Sequence, residues 1–308
     1  MTDAVCLGIL VADVIARPVD RIPERGTLAF VDDVQVHGGG CALNTASALA
    51  RLGLRASVAG KLGTDPLGDV LVGLLDERGV ERRAVVRDPA VPTSATVVLV
   101  AADGERTFLH LPGANASLRA SELDPELIFS GRALHVGGAL LLEALDGKPV
   151  AALFAEARRR GLLTSLDTAY DASGRWGRVL PALEHVDLFT PDIAEAREIT
   201  GEHEPDRAAR RLRELGVRDV AVTLGSDGCY VAGESFEGHV AAPAVSAVDG
   251  TGSGDAFAAG FLHARLANLS LVDAARLANA TGALAATASG AYNGLRGLEE
   301  TSALAELG

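Results

Sequence analysis

Cysteine is scarce in this chain of 308 residues. The three that occur, Cys6, Cys41 and Cys229, are few, odd in number and far apart, which argues against a disulfide framework and against a zinc site. The seven histidines show no metal-ligand spacing either. Cysteine use of this kind is typical of a reducing compartment, so we expect a cytoplasmic protein.

Positive charge and long apolar runs are also lacking. The 28 Lys and Arg residues are outnumbered by 41 Asp and Glu, and no basic stripe is present, so we expect no nucleic-acid partner. No apolar run approaches the roughly 20 residues of a membrane helix, and the N-terminus lacks a basic leader, so we expect no membrane partner. An acidic chain can still bind phosphates, because local N–H groups and bound cations hold them.

The apolar residues are arranged in an alternation of strands and helices. Short runs such as Ala4–Leu10 predict buried strands, and amphipathic segments between them predict helices, which together favour a mostly parallel sheet covered on both faces. Two segments, 15–37 and 93–113, instead indicate antiparallel β structure, and we expect them to form a small β-sheet lid. The α/β core is then expected to comprise 1–14, 38–92 and 114–308.

The segment Asp-Gly-Thr-Gly-Ser-Gly-Asp at 249–255 stands directly before an apolar helical run. Its glycines let successive N–H groups converge, and a helix start adds free N–H groups and the positive end of the helix dipole, which together make an anion site. Asp255 beside such a site could take the proton of a hydroxyl that attacks the bound anion. The alternative is a glycine-rich turn in which Asp255 caps the helix.

Three further motifs lie at strand ends. In Gly38–Gly53, glycines and Asn44 stand at a strand-to-helix junction, where backbone and amide can contact a sugar or simply form a turn. Thr223–Gly228 suits a nucleotide phosphate or an ordinary hairpin turn. Thr190–Glu195 places two carboxylates on the first turn of a helix, where they orient Mg²⁺ through water or complement the helix dipole.

Together with Asp13 after the first strand, these motifs in this order resemble the ribokinase-like carbohydrate kinases of the PfkB family. The resemblance spans nearly the whole chain. It implies an α/β, ribokinase-like three-layer sandwich with a mostly parallel central sheet and a small β-sheet lid. It also implies transfer of a phosphoryl group from ATP to a hydroxyl of a sugar or sugar-like molecule, with Mg²⁺ and an activating K⁺. Because lid strands in this family often pair between subunits, a homodimer is expected.

The resemblance also implies roles for individual residues. The catalytic base is Asp255, and the anion hole is Gly252, Ser253 and Gly254. The sugar contacts are Asp13, Gly39, Gly40 and Asn44, to which we add His110 on a lid strand and Glu143 after an apolar run. The ATP contacts are Asp192, Glu195, Thr223, Gly225, Gly228 and Asn279. Glu195 would hold Mg²⁺ through water, and the K⁺ ligands would be Asp249 and Thr251.

The chain departs from the family pattern at three places. Asp192 replaces the usual asparagine, Cys41 stands where ribokinase has a lysine, so that D-ribose is not supported, and 285–291 lacks the usual arginine. Three alternatives stay open at this point. They are a nucleoside kinase, a 2-keto-3-deoxy sugar acid kinase in which Arg106 or Arg175 meets the carboxylate, and a sugar-binding regulator without catalysis.

Overall fold

Strands and helices alternate along the chain in the computed structural model, which describes residues 2–307. The strands are β1 (Ala4–Gly8), β2 (Val11–Arg17), β3 (Asp33–Gly39), β4 (Ala56–Gly63), β5 (Glu81–Asp88), β6 (Ala95–Val100), β7 (Arg106–Leu111), β8 (Ala133–Ala139), β9 (Leu163–Thr168), β10 (Leu188–Phe189), β11 (Asp219–Thr223), β12 (Cys229–Ala232) and β13 (Glu237–Val240). The helices are α1 (Cys41–Arg51), α2 (Pro66–Glu77), α3 (Gly113–Ser117), α4 (Pro125–Ile128), α5 (Lys148–Arg159), α6 (Leu180–Leu183), α7 (Ile193–Thr200), α8 (Pro205–Glu214), α9 (Ser253–Leu266), α10 (Leu271–Ala285) and α11 (Leu298–Leu304).

Nine strands form the large sheet, in the order β13-β12-β11-β10-β9-β8-β1-β4-β5. All neighbouring pairs from β11 to β5 are parallel, and β12 and β13 are added antiparallel at one edge. The central strand β1 is buried throughout, because helices cover both faces of the sheet. One apolar core contains residues of α1, α2, α9 and α10, and the other contains residues of α4, α5, α7 and α8. The expected three-layer α/β sandwich is confirmed.

A separate sheet of four strands has the order β3-β2-β6-β7. The segment 93–113 contains the expected hairpin, β6 and β7, and β2 pairs antiparallel with β3. The strands extend beyond the expected segment 15–37, because β2 begins at Val11 and β3 ends at Gly39. Both Asp13 and Gly39 are therefore residues of the small sheet.

The register gives the small sheet one face that carries a polar row and one face that is largely apolar. Asp13 lies between His37 and Thr96 on the neighbouring strands, and Thr96 lies opposite His110. The adjacent row lies on the opposite face and consists of Val36, Val14, Val97 and Leu109. Alternation along each strand thus separates the polar row from an apolar outer surface.

Two helix starts meet at one edge of the large sheet. Helix α1 packs against α9, and Thr45 Oγ1 donates a hydrogen bond of 3.3 Å to the carbonyl oxygen of Asp255. The glycine-rich segments that precede the two helices are therefore neighbours in space. Across residues 2–307, every helix is too short or too polar to cross a bilayer.

Candidate active site

Helix α9 begins with free backbone donors. Its first i→i−4 hydrogen bond runs from Ala256 N to Gly252 O at 2.9 Å, while Ser253 N donates to Gly250 O at 3.1 Å. The N–H groups of Gly254 and Asp255 precede the first helical bond and have no helical acceptor. Gly252 has a φ of 75°, and a Cβ there would lie 2.3 Å from the Cβ of Ala291, so only glycine fits this turn.

The carboxylate of Asp255 is buried and held by an amide. Asn44 Nδ2 donates to Asp255 Oδ2 at 2.8 Å, and α1 carries Asn44 to this point from the end of the Gly38–Gly40 run. Burial raises the pKa of Asp255, and hydrogen bonds from Asn44 and Cys41 oppose that shift by favouring the ionised form. Within residues 2–307, Asn44 Oδ1 is buried with no hydrogen-bond partner, so its acceptor capacity is unused.

Two further groups crowd the Asp255 carboxylate. One oxygen of Asp255, one oxygen of Asp167 and the Sγ of Cys41 all lie within 4.8 Å of one another. Burial, followed by the charges of Asp255 and Glu195, raises the pKa of Asp167 well above its ordinary value. Burial also raises the pKa of the Cys41 thiol, which therefore stays neutral. Strand β9 brings Asp167 to this cluster from a distant segment of the chain.

The predicted sugar contacts converge next to this cluster. Gly39 and Gly40 stand immediately before α1, and a Cβ on Gly39 would lie 2.1 Å from Asp13 Oδ2. A Cβ on Gly40, whose φ is 92°, would lie 2.4 Å from the carbonyl oxygen of Ile9. The glycines are thus required for the approach of β3 to Asp13. Burial raises the pKa of Asp13 to about 6, and a hydrogen bond with Thr96 opposes this rise.

His110 and Glu143 differ in their relation to this group. His110 lies in the same row of the small sheet as Asp13, and its Nδ1 is 3.1 Å from Thr96 Oγ1. Glu143 has a side chain that is 64% exposed and lies 3.4 Å from Arg175 Nη1. His110 thus shares a row with Asp13, while the Glu143 carboxylate lies beside Arg175, and both assignments to the sugar site stay predictions.

The Asp192 and Glu195 carboxylates form a capping box at the start of α7. Asp192 Oδ1 accepts from Glu195 N at 2.7 Å, and Glu195 Oε2 accepts from Asp192 N at 3.0 Å. Thr168 Oγ1 donates to the same Glu195 oxygen at 2.9 Å. Burial and the charge of Asp192 raise the pKa of Glu195 to about 7. Asp192 therefore serves as a good N-cap where the family pattern has asparagine.

Four of the six predicted ATP contacts line a cavity of about 600 Å³ beside the start of α9. An isolated bridge pairs Asp192 with Thr223, which brings the capping box to one end of this lining. Asn279 Nδ2 donates to the carbonyl oxygens of Val240 and Ala241 at 2.9 and 3.3 Å, so this side chain also fixes the cavity wall. The predicted residues in the lining are Thr223, Gly225, Gly228, Ser253, Gly254 and Asn279.

The apolar part of this cavity was not expected from the sequence. It is formed by Pro243, Ala244, Val245, Ala247, Phe257, Ala283 and Ala286. The segment 241–247 has no regular secondary structure, has mostly small side chains and contains no recognised motif. The sequence therefore gives no signal that this segment forms an apolar cavity wall. Cavities of this size that combine apolar walls with a few polar groups are typical of small-molecule sites.

Asp249 and Thr251 are bound by an arginine. Arg106 Nη2 lies 2.8 Å from Asp249 Oδ1, and Arg106 Nη1 lies 2.7 Å from Thr251 Oγ1. The other carboxylate oxygen, Oδ2, accepts from Gly290 N at 3.0 Å. Although burial alone would raise it, hydrogen bonds from Gly290, Thr251 and Arg106 hold the pKa of Asp249 well below its ordinary value. No sequence motif signalled this contact.

Comparisons with known proteins bear on the family and on the fold of the chain. Residues 1–296 match the model of the pfkB family of carbohydrate kinases. Fructokinase-1 of Oryza sativa subsp. japonica is 32% identical over 275 residues, which cover 83% of this chain and 84% of that protein. A ribokinase of Arabidopsis thaliana, solved with ribose and ATP, has a TM-score of 0.84 at 22% identity and covers 100% of both chains. A candidate ribokinase II of Escherichia coli, solved with ATP and Mg²⁺, has a TM-score of 0.85 at 22% identity over 99% of both.

Proposed function

The chain belongs to the pfkB family of carbohydrate kinases and is an ATP-dependent sugar kinase; from this premise we propose that Asp255 is the base that activates the sugar hydroxyl. The observation that carries the proposal is the position of its carboxylate. It is held by Asn44 on the side of the predicted sugar contacts, and it stands in the first turn of α9. Ser253 and Gly254 of that same turn line the cavity that suits the nucleotide.

The reaction follows from this placement. The hydroxyl proton passes to an oxygen of Asp255 while the hydroxyl oxygen bonds to the γ-phosphorus of ATP. The bond from that phosphorus to the β–γ bridging oxygen breaks, and ADP leaves. The free N–H groups of Gly254 and Asp255 and the buried hydroxyl of Ser253 stabilise the charge of the transferred group. The Asn44 hydrogen bond keeps the Asp255 carboxylate in place.

Glu195 is suited to hold Mg²⁺ beside the phosphates. Burial of its carboxylate, and then the charge of the neighbouring Asp192, raises the pKa of Glu195 to about 7, so a nearby divalent cation or its waters would stabilise the ionised form. Asp192 is the neighbouring acid in the same capping box. When bound, Mg²⁺ would neutralise part of the charge of the phosphates.

The sugar contacts favour an uncharged sugar. Asp13 and Asn44 Oδ1, which has no partner among residues 2–307, accept hydrogen bonds from hydroxyl groups, and Gly39 permits the close approach. A sugar acid would need a cation for its carboxylate. Both arginines considered for that role have acidic partners already, Arg106 with Asp249 and Arg175 with Glu143. We therefore propose a neutral sugar, with fructose first because a relative of 32% identity is a fructokinase.

A second copy of the chain is proposed to cover the outer face of the small sheet. Its apolar row is solvent-exposed: Val36 is 43% exposed, Val97 38% and Leu109 58%. Val34 and Leu111, also on the small sheet, are 60% and 46% exposed. Monomeric soluble proteins rarely leave such a contiguous apolar surface uncovered. Two copies of the face would bury each other, and the opposite faces, which carry Asp13, would remain directed to the two sites.

The function is tested by measuring ADP release in a coupled assay over a panel of substrates. The panel comprises fructose, other hexoses, pentoses, a 2-keto-3-deoxy sugar acid and nucleosides, each with ATP and Mg²⁺. We expect a neutral sugar, fructose first, to give the highest kcat/KM. Preference for the sugar acid or for a nucleoside would contradict the proposed substrate class. ADP release that does not depend on any acceptor would contradict the proposed role of the sugar site.

A further inference from the structure

The guanidinium of Arg106 occupies the position that the family resemblance reserves for a monovalent cation. It bonds both predicted cation ligands at once, Asp249 at 2.8 Å and Thr251 at 2.7 Å. The second oxygen of Asp249 accepts from Gly290 N at 3.0 Å, and the first also accepts from Thr251 N at 2.9 Å. Both oxygens of the carboxylate thus accept hydrogen bonds from the chain itself, and one guanidinium already binds both predicted ligands, so the residues present do not fit an additional K⁺.

The chemistry of arginine makes this contact more than a surface ion pair. The guanidinium carries a permanent positive charge, which stabilises the ionised carboxylate. It also offers two donors in a fixed geometry, which orient the two groups that they bind. The Asp249 side chain is only 9% exposed, so the charge of its carboxylate needs a local partner. Arg106 supplies that partner across 143 positions of sequence.

The contact also bears on the anion hole. Asp249 and Thr251 flank Gly250, and Thr251 is followed at once by Gly252, the residue whose left-handed backbone starts α9. Fixing the side chains of 249 and 251 therefore fixes the turn from which the free N–H groups of Gly254 and Asp255 project. Arg106 is the first residue of β7, so the small sheet itself holds this turn.

We propose that Arg106 is a positioning residue that replaces the monovalent cation, so that the loop 249–252 is ordered by a cation built into the chain. This inference rests on the proposed function for its kinetic consequence, but not for its binding consequence. Two consequences follow. The wild-type enzyme needs no K⁺, and removal of the guanidinium creates a site where K⁺ or free guanidinium acts.

The experiment compares wild type, Arg106→Ala and Arg106→Lys in KCl, guanidinium chloride and tetramethylammonium chloride at equal low ionic strength. We expect the kcat of wild type to vary less than about twofold between the salts, since its cation is built in. We expect Arg106→Ala to lose about tenfold or more in tetramethylammonium and to regain several-fold in KCl or guanidinium. Arg106→Lys, which keeps one charge, should stay indifferent to K⁺. Arg87→Ala, which removes an arginine 2.7 Å from Asp69, is the matched control and should behave as wild type.

A thermal-unfolding arm needs no catalysis. K⁺ should raise the Tm of Arg106→Ala relative to tetramethylammonium and leave the Tm of wild type unchanged. Activation of wild type about tenfold by K⁺ would overturn the inference. So would an Arg106→Ala variant that is fully active in every salt, or one that is inactive in every salt with no K⁺-dependent change in Tm. A wild type that phosphorylates no sugar would overturn the proposed function instead, while the Tm comparison would still decide the cation question.

Discussion

Asn44 Nδ2 donates a hydrogen bond of 2.8 Å to Asp255 Oδ2, and this contact joins two helix starts that are 211 residues apart in sequence. One helix start carries the glycines that approach Asp13, and the other carries the free N–H groups of the anion hole. The amide favours the ionised form of Asp255 against the effect of burial. The contact thus places a proton acceptor between the proposed sugar and phosphate sites.

Gly39 is expected to be essential for sugar binding, and Gly73 is not. A methyl group on Gly39 would lie 2.1 Å from Asp13 Oδ2 and push that carboxylate away, so Gly39→Ala should raise the KM for sugar by about tenfold or more. Gly73→Ala, in helix α2 with nothing within 4 Å, is the matched control. Its KM should match wild type. The KM for sugar is measured by steady-state kinetics at saturating ATP. A KM for Gly39→Ala within twofold of the wild-type KM would contradict this role.

Sugar affinity should weaken as the pH falls through about 6. Burial raises the pKa of Asp13 to about 6, so the group is a carboxylate above that pH and a neutral acid below it. Protonation removes an acceptor for sugar hydroxyls, and the Kd should rise up to about tenfold per pH unit below the pKa. Calorimetric titration of sugar without nucleotide, from pH 5 to 8, measures this. Asp13→Asn should bind weakly and without this pH step; the same step in the variant would assign it elsewhere.

Local motifs were predictable from sequence, and long-range contacts were not. Glycine is demanded by the backbone itself at Gly252 and by the close approach of Asp13 at Gly39, so these strand-to-helix junctions are visible in the sequence. The Arg106–Asp249 contact depends on the register of a hairpin against a loop 143 residues away, which no local pattern encodes. The contact of Glu143 with Arg175 is likewise long-range, and the predicted substrate contact of Glu143 stays a prediction.

The capping box explains a departure that sequence left open. Asp192 accepts from Glu195 N, and Glu195 accepts from Asp192 N, so the carboxylate serves the helix start as well as the expected asparagine would. The sequence could show the substitution but not its hydrogen bonds. The Cys41–Asp167–Asp255 cluster was hidden for the same reason, since it is assembled from three separate elements.

The turn that forms the anion hole should tolerate a methyl group at Gly250 but not at Gly252. Gly252 has a φ of 75° and its Cβ would lie 2.3 Å from Ala291 Cβ, whereas Gly250 has nothing within 4 Å. Gly252→Ala must shift the turn that presents the N–H groups, and kcat should fall about 100-fold or more. Gly250→Ala should keep kcat within a few-fold of wild type. Equal kcat values for the two variants would contradict the assignment of the donors to this turn.

Val97 is expected to lie in a dimer interface. It is 38% exposed on the apolar outer face of the small sheet, and a charge there would be buried against the partner copy. Val97→Glu should give a monomer in sedimentation-velocity experiments. Val70→Glu, at a residue of 40% exposure on α2, is the matched control and should leave the association state unchanged. A wild type that sediments as a monomer would contradict the proposed interface.

The most direct test of the central claim is the kcat of Asp255→Asn, measured with the Kd for ATP. The asparagine keeps the shape of the side chain but cannot accept the hydroxyl proton, so kcat should fall by about 10²- to 10⁴-fold while ATP binds as in wild type. Asp167→Asn removes the neighbouring buried carboxylate and should change kcat by no more than about tenfold, through the pKa of Asp255. An Asp255→Asn enzyme within tenfold of wild-type kcat, or an equal loss in Asp167→Asn, would contradict Asp255 as the base.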